Sequence, residues 1–380
     1  MYSIPLNASD RDLYFQDLLG PHDLRVQMEL LDLDQRFISQ LSDNALSGQV
    51  DVDTTANETV DRRCNVNLVD RNGDVGLDTG NANDGAMFTD RMLRVTYGVR
   101  GPRLGRWVDI PIFTGPITSV NRQGRKVDVV AQGKEFFLLR PAWRILTIPA
   151  GTPKTTAIKR LLAAFGEDYV DIPDLNGKLS TPVQIGRETK PWPVLASLAD
   201  SLGYRLFYDG RGYASMTPLS SPCVWTFRGG DGGTIKSTPR LGYNMDEAAN
   251  VVYVQGKSPE GKGTPVGFTA VAPASHPLSP QRLARSGTPT YLGRSEQVEE
   301  ITTVAAAKKT AEAILQRSLL QAVDVDFESM PLPFLEPDDH VRVALETGTF
   351  DFTMRKFTLP FAADGSMSVG RRMLNKGIRR

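Results

Sequence analysis

Cysteine and histidine are scarce in this chain, with two cysteines and three histidines among 380 residues. Cys64 and Cys223 lie too far apart in sequence to imply a disulfide framework or a zinc knuckle, and both are expected to be small buried hydrophobes. His22, His276 and His340 fall in a turn before a strand, in a proline-rich stretch and at a strand start. None has a second histidine or a cysteine at ligand spacing, so neither an H-E-x-x-H zinc helix nor a C-x-x-C pair exists. A Gly-x-Ser-x-Gly elbow is also missing, which argues against an α/β-hydrolase. Neither sign of charge is in excess: Lys plus Arg and Asp plus Glu are 44 each. The basic surplus that drives stable binding to a phosphate backbone is therefore absent. No uncharged apolar run approaches the ~20 residues that span a bilayer, so no stable membrane insertion is expected. The first fifteen residues carry acids early, without a basic region leading into an apolar core, so no secretory signal is expected.

What is present is length, glycine and proline. At roughly 150 residues per domain the chain implies two or three domains. Its 34 glycines and 25 prolines are spread throughout, as suits many short strands joined by turns. The first part reads as β-structure. Leu24, Val26, Met28 and Leu30 alternate with polar residues, and the same period of two returns at Cys64–Leu68, Leu93–Tyr97 and Val108–Ile112. Ile117–Val120 and Val127–Ala131 flank a hairpin turn at 121–125. These strands predict one mainly antiparallel sheet or barrel over residues 1–140.

Residues 141–219 predict a small α+β domain. Thr152 and Pro153 open a helix carrying Ile158, Leu161, Leu162 and Phe165, which Gly166 stops. Leu195, Leu198 and Leu202 mark a second helix closed by Gly203. Tyr204–Tyr208 and Tyr213–Met216 then bracket Asp209-Gly210-Arg211-Gly212 as a hairpin. Residues 220–380 return to strands, with Asn250–Gln255 the clearest. A Pro/Gly-rich arm is expected at about 257–298, followed by a long helix from Thr302 to about Gln321. Strands resume at Val341–Ala344 and Phe350–Leu359, and a last hairpin turns at Asp364-Gly365.

Chemistry is sparse. Gly229, Gly230, Gly232 and Gly233 enclose Asp231 without a following Gly-Lys-Ser/Thr, so a turn is expected rather than a phosphate cradle. Asp70, Asn72, Asp74 and Asp78 resemble the opening of a calcium loop, but Val75 stands at the glycine position and Asn81 at the closing glutamate. A polar turn is the expectation there, with occupancy of the Asp70–Asp74 turn by a metal left open. Asp338 and Asp339 are expected in a solvated turn. The aromatic run Tyr204, Phe207, Tyr208 and Tyr213 is expected to pack across a hairpin rather than to bind glycans. No catalytic, cofactor-binding or metal residue is assigned, no cofactor is implied, and the chain is not expected to be an enzyme.

The order of segments resembles the baseplate and tail-tip hub family of long-tailed phages and contractile injection systems, the late control protein D-like hubs. Leu195–Met216 (LASLADSLGYRLFYDGRGYASM) is similar to that family's helix and hairpin, and Asn250–Gly256 (NVVYVQG) to the strand opening its second barrel. Ala274–Pro280 (ASHPLSP) is similar to its arm, Thr303–Leu319 to its Ala-rich helix, and Pro333–Val343 (PFLEPDDHVRV) to the start of a later strand. The Gly-Asp often found before that strand is Asp338-Asp339 here, and Arg62–Asp70 (RRCNVNLVD) is similar to an earlier family strand.

The resemblance implies an α+β, mainly β fold: a tail-tube-like β-barrel domain at 1–140, a small α+β domain at 141–219, and a second tube-like barrel at 220–380. It implies a homotrimeric virion structural protein that caps the tail tube, adapts six-fold to three-fold symmetry and passes DNA only in transit during ejection. The partners implied are a distal tail or tail-tube ring, a tip or spike protein and the tape-measure protein. The location implied is the virion tail tip, assembled in the bacterial host cytoplasm. A tail-associated cell-wall hydrolase and a glycan-binding host-recognition module are the alternatives.

Overall fold

The structure is a computed structural model that describes residues 2–54, 59–71, 90–219, 222–230, 232–243, 248–256, 265–298, 301, 303–320, 323–345, 348–362, 364–370 and 373–374. The expected polar turn beyond Arg71, with its calcium-loop-like spacing, Asp231 of the glycine cluster and residues 257–264 of the expected arm lie outside these.

The chain opens with α1 (Ala8–Leu19), capped by Asn7, whose side chain accepts from the Asp10 amide at 2.8 Å. Tyr14 and Leu18 turn inward from it. Then come β1 (Asp23–Leu31), β2 (Phe37–Gln40), β3 (Ala45–Asp53), β4 (Arg62–Val69), β5 (Met92–Arg100), β6 (Val108–Gln123) and β7 (Lys126–Gln132). The period of two seen in the sequence is the burial pattern of these strands. Val50, Cys64, Val66 and Val129 point to the core, while Gln49, Arg63, Asn67 and Asp128 stay in water. Two strands expected around Val108 and Ile117 are one strand of 16 residues, which leaves β5 for β7 after Pro116. The hairpin after it is tighter than expected. Gln123 pairs with Lys126 across Gly124 (φ 62°) and Arg125, a two-residue loop that needs a left-handed first residue.

The middle segment holds α2 (Glu135–Leu138), β8 (Leu146–Ile148), α3 (Lys154–Ala164), β9 (Val170–Asp171), β10 (Val183–Ile185), α4 (Pro191–Asp200), β11 (Tyr204–Tyr208) and β12 (Ala214–Pro218). Pro153 rather than Thr152 stands at the N-cap of α3, a shift of one residue, and Gly166 (φ 84°) follows its end. Ile158, Leu161, Leu162, Leu195 and Leu198 form a separate core with Trp192, which stacks on Tyr208 at 5.4 Å. The hairpin between β11 and β12 touches β6 backbone to backbone. The Thr114 hydroxyl donates to the Gly210 carbonyl at 2.9 Å, and a β-carbon on Gly210 would overlap the Pro111 carbonyl. Gly210→Ala is therefore expected to cost about 1–3 kcal/mol, read as a lowered urea midpoint.

The last segment supplies β13 (Trp225–Arg228), β14 (Arg240–Tyr243), β15 (Val251–Gln255), β16 (Gly267–Val271), β17 (Gly293–Gln297), α5 (Val304–Leu320), β18 (Val323–Ser329), β19 (His340–Leu345), β20 (Gly348–Thr353), β21 (Lys356–Pro360), β22 (Met367–Val369) and β23 (Met373–Leu374). The stretch expected to be an arm is only partly one. It contributes β16 and β17, which pair on either side of β15, and it buries Leu278 and Ser279. Its prolines and glycines serve the turns between short strands instead of keeping the whole stretch extended. α5 lays Ala307, Ala311, Leu315 and Leu319 on this small sheet, making a third core with Val252 and Val254.

The first and last segments share one core. Val50, Val52, Val66 and Val129 pack in the same cluster as Val325, Phe327, Phe357, Leu359 and Val369, and Phe15 of α1 meets Trp225 and Phe334 at 5.4 and 5.3 Å. The join is a strand pair. β21 runs antiparallel to β3 from Lys356↔Asp53 to Pro360↔Gln49, so the sheet continues in the order β14-β18-β22-β21-β3-β4-β7-β6-β5-β1-β2. The mainly β, α+β class expected from sequence is the class observed. Closed barrels are not: among the described residues no strand pair joins β1 to β3. A cleft of about 570 Å³ lies between them, lined by Leu24, Val26, Ala45, Leu46 and Phe361.

Candidate functional site

From β14 to the distal half of β6, the long sheet turns one face to its core and the other to water. Register places the outward residues side by side: Arg240 with Asp326, Glu328 with Ser368, Ser368 with Thr358, Lys356 with Asp53, Asp51 with Arg63, Asn67 with Asp128, and Asn121 with Asp128. Among the side chains described on this face, five carboxylates (Asp51, Asp53, Asp128, Asp326, Glu328) face four cations (Arg63, Lys126, Arg240, Lys356), with Gln49, Asn65, Asn67, Asn121 and Gln123 between them.

Many of these side chains satisfy one another. Asp51 accepts from Asn65 at 2.9 Å, Gln49 at 2.8 Å and the Thr358 hydroxyl at 3.0 Å, Asn67 donates to Ser47 at 2.9 Å, and Lys356 meets Asp53 at 3.2 Å. Such a face presents amides and paired ions and little apolar area, so it offers no adhesive patch to a polyanion or to an apolar surface.

Among the described residues, each end of this polar sheet has an uncovered strand edge. At one end β14 pairs with β18 and with no other described strand. At the other, β6 from Thr118 to Gln123 pairs with β7 on one side, and no described strand covers its outer edge. The tight hairpin fixes which backbone groups face outward. Gln123 and Lys126 are the closing pair, so Asn121 and Gln123 bond towards β7, while Val120 and Arg122 direct N–H and C=O away from it. Unpaired edges of this kind invite another strand.

Below the sheet, buried ions from all three segments hold the architecture together. Arg62, 3% exposed, donates to the Ile112 carbonyl at 2.9 Å and the Tyr208 carbonyl at 3.2 Å, and it pairs with Glu336. Arg205 bridges Asp61 at 3.0 Å and Asp338 at 2.7 Å, and Arg355 reaches Asp338 at 3.4 Å. Lys134 meets Glu167 at 2.6 Å and donates to the Gly212 carbonyl at 3.1 Å.

Burial alone would depress the Arg205 guanidinium, but the charges of Asp338 and Asp61 more than reverse it. Asp338 and Asp339 are thus not in the solvated turn expected from sequence. They are 6% and 4% exposed, with Asp338 at φ 61°, because the turn lies beneath the middle segment, where Arg205 and Arg355 supply its counter-charges. Pairs between residues this distant in sequence carry no local signal.

Glu135 is fully buried beside this network, and burial pushes its carboxyl up to about 8, with the Asp61 charge adding to the rise. Burial likewise raises Asp339, to about 6. A carboxyl that holds its proton more tightly when folded contributes stability below its ordinary range, and that contribution is lost as pH climbs towards the raised value. Melting temperature is therefore expected to fall between about pH 5 and pH 8, and Glu135→Gln to flatten that slope and raise the value at pH 8. A scan of thermal unfolding against pH checks both.

The remaining sequence candidates do not converge. His22 contacts the Gly20 carbonyl at 2.9 Å, His276 accepts from the Leu278 amide at 3.1 Å in the loop after β16, and His340 starts β19. Among the described residues no three metal-ligating side chains come together. Cys64 is buried as expected, but Cys223 is exposed because it lies before β13 rather than in it. Phe207 and Tyr208 of the aromatic hairpin are core residues, and Tyr213 packs edge-on against Tyr169 at 5.3 Å, so the run builds a core rather than a glycan platform. No helix among the described residues is long and apolar enough to cross a membrane.

No protein-family model matches the chain, and no curated protein matches it in sequence. Solved structures do match in fold. A tail protein from Neisseria meningitidis MC58 superposes with a TM-score of 0.62 at 15% identity, covering 93% of this chain and 97% of that one. The prophage MuSo2 43 kDa tail protein from Shewanella oneidensis gives 0.61 at 13%, covering 94% and 100%. Prophage tail protein gp18 from Listeria monocytogenes EGD-e gives 0.53 at 11%, covering 92% and 94%.

Proposed function

We propose that this chain, which has the fold of phage tail proteins, is a non-enzymatic hub of a tail tip, three copies of which close into a ring on the end of the tail tube. The observation that carries this reading is the polar sheet whose edge at each end no described strand covers. The two edges are different surfaces, so pairing β6 of one copy with β14 of the next is head-to-tail, and head-to-tail contacts close into rings when the rotation permits. The β3–β21 pair is the same kind of join made within one chain, between segments 1–140 and 220–380. Each copy then brings two tube-like units, and three copies bring six, which matches a six-fold tube above and a three-fold tip below.

In such a ring the outward polar face lines the lumen. Its near-neutral charge and self-paired amides suit a channel through which DNA passes without sticking. A tube ring, a tip or spike protein and the tape-measure protein are the partners that this placement entails, in a virion assembled in the host cytoplasm.

Disulfide trapping tests the pairing. With Cys223→Ser removing the exposed thiol, Asn121→Cys together with Gly242→Cys, both on the polar face, is expected to cross-link neighbouring copies on oxidation, in a ladder that stops at three. Cross-linking that never exceeds the single chain, or that runs to high polymers, would count against a closed ring.

A further inference from the structure

We infer that the seam between β1 and β3 takes up an extended segment of a different protein, which enters as one more strand and joins the two. The cleft of about 570 Å³ there has strand backbone on both sides. On β1, the Met28 amide donates to the Ser42 hydroxyl at 2.8 Å and the Met28 carbonyl accepts from the Leu41 amide at 2.8 Å, so both point away from β5. Alternation along the strand directs the N–H and C=O of Leu24 and Val26 to that same side. No described strand meets them there, because the pairing with β2 covers Glu29–Leu31 and stops. On β3, pairing with β21 ends at Gln49, and the Gly48 carbonyl accepts from the Phe361 amide at 3.0 Å. Residues 45–47 are left with β4 on one side and no described strand on the other.

The walls specify what fits. Leu24, Val26, Met28, Ala45 and Phe361 line the cleft and belong to, or pack on, the main core. An apolar small molecule would fill that space and leave the strand edges unanswered. An extended polypeptide does both: alternate side chains enter the cleft while its own N–H and C=O groups meet the two edges. The free stretch of β1, from Asp23 to Gln27, spans about 16 Å, so four or five residues fit. Five antiparallel pairings (β1–β5, β5–β6, β6–β7, β7–β4 and β4–β3) separate the walls, which therefore run in opposite directions. A single strand between them lies antiparallel to one and parallel to the other. β15 already holds that arrangement between β16 and β17.

The folded strands of a second copy do not supply the segment. To sit between two edges a strand must have both of its own free, and every described strand of this chain pairs with at least one neighbour. The occupant is therefore a tail or loop of a different protein, with apolar residues at alternate positions and no proline among its inner residues. The seam shares no residue with β14 or with Thr118–Gln123 of β6, so it stands whether or not the ring does.

A display library of random octapeptides, selected on the immobilised full chain and counter-selected on Val26→Pro, tests the inference. Enriched peptides are expected to repeat Val, Ile, Leu, Phe or Tyr at every second position and to bind Val26→Pro about tenfold or more weakly. They are also expected to slow amide hydrogen exchange in residues 22–28 and 45–48 of the parent chain. N-methylation at either of two successive inner residues of a selected peptide is expected to cost about tenfold or more, since a strand held on both edges uses every amide. That readout needs no variant, and circular dichroism shows whether Val26→Pro keeps the fold. No enrichment, peptides without alternation, or tolerance of N-methylation at every second residue, the mark of addition to one edge, would overturn the inference. So would exchange in residues 22–28 that slows with rising concentration of the chain alone, which would make a second copy the occupant.

Discussion

Replacing Arg62 by Ala is expected to cost about 3–5 kcal/mol of stability and to lower the thermal midpoint by on the order of 5–10 °C. The side chain has almost no contact with solvent and satisfies one group in each segment: the Ile112 carbonyl of β6, the Tyr208 carbonyl of β11 and Glu336 before β19. Its loss strands the Glu336 carboxylate in the interior, and that uncompensated charge supplies most of the penalty. A double-mutant cycle with Glu336→Leu separates the parts. Removing both partners is expected to recover more than half of the loss, because without the Glu336 carboxylate no uncompensated charge is left in the interior. If the two single losses simply add, Arg62 acts through its carbonyl contacts and not through the ion pair.

The second large effect is on assembly and not on folding. Val120→Pro removes an N–H that points away from β7, so the chain itself is expected to keep its fold, with a thermal midpoint within a few degrees of the parent. The edge, however, loses a donor and gains a ring that obstructs an incoming strand, so assembly into rings is expected to be abolished at all accessible concentrations. Size-exclusion chromatography with light scattering on both proteins checks this. Asn121→Pro is the control: its N–H faces β7, and the same substitution one residue away is expected to destabilise the hairpin instead.

Much of the fold was legible because each strand carries its own signal. Alternation at Leu24–Leu30 and Cys64–Leu68 sets which face is buried, Gly166 marks the end of α3, and the Asp209–Gly212 turn marks its hairpin. Less visible were the features that depend on residues far apart in the chain. Nothing near Asp51 or Thr358 announces that β3 and β21 are neighbours, and nothing in the Asp338-Asp339 dipeptide reveals that Arg205 and Arg355 will cover it. The expected arm misled for a compositional reason: prolines and glycines serve tight turns between short strands such as β16 and β17 as readily as they serve an extended loop. As a candidate site the polar sheet face was half visible, since its residues were identifiable as outward-facing strand positions, but their continuity across two segments was not.

Closure of three copies into one ring is tested by native mass spectrometry of the 380-residue chain at micromolar concentration. A dominant species of three copies, converted to single chains by Val120→Pro, is the result predicted. A single chain at every concentration, or an unbroken series of ever larger species without a closed trimer, would contradict it.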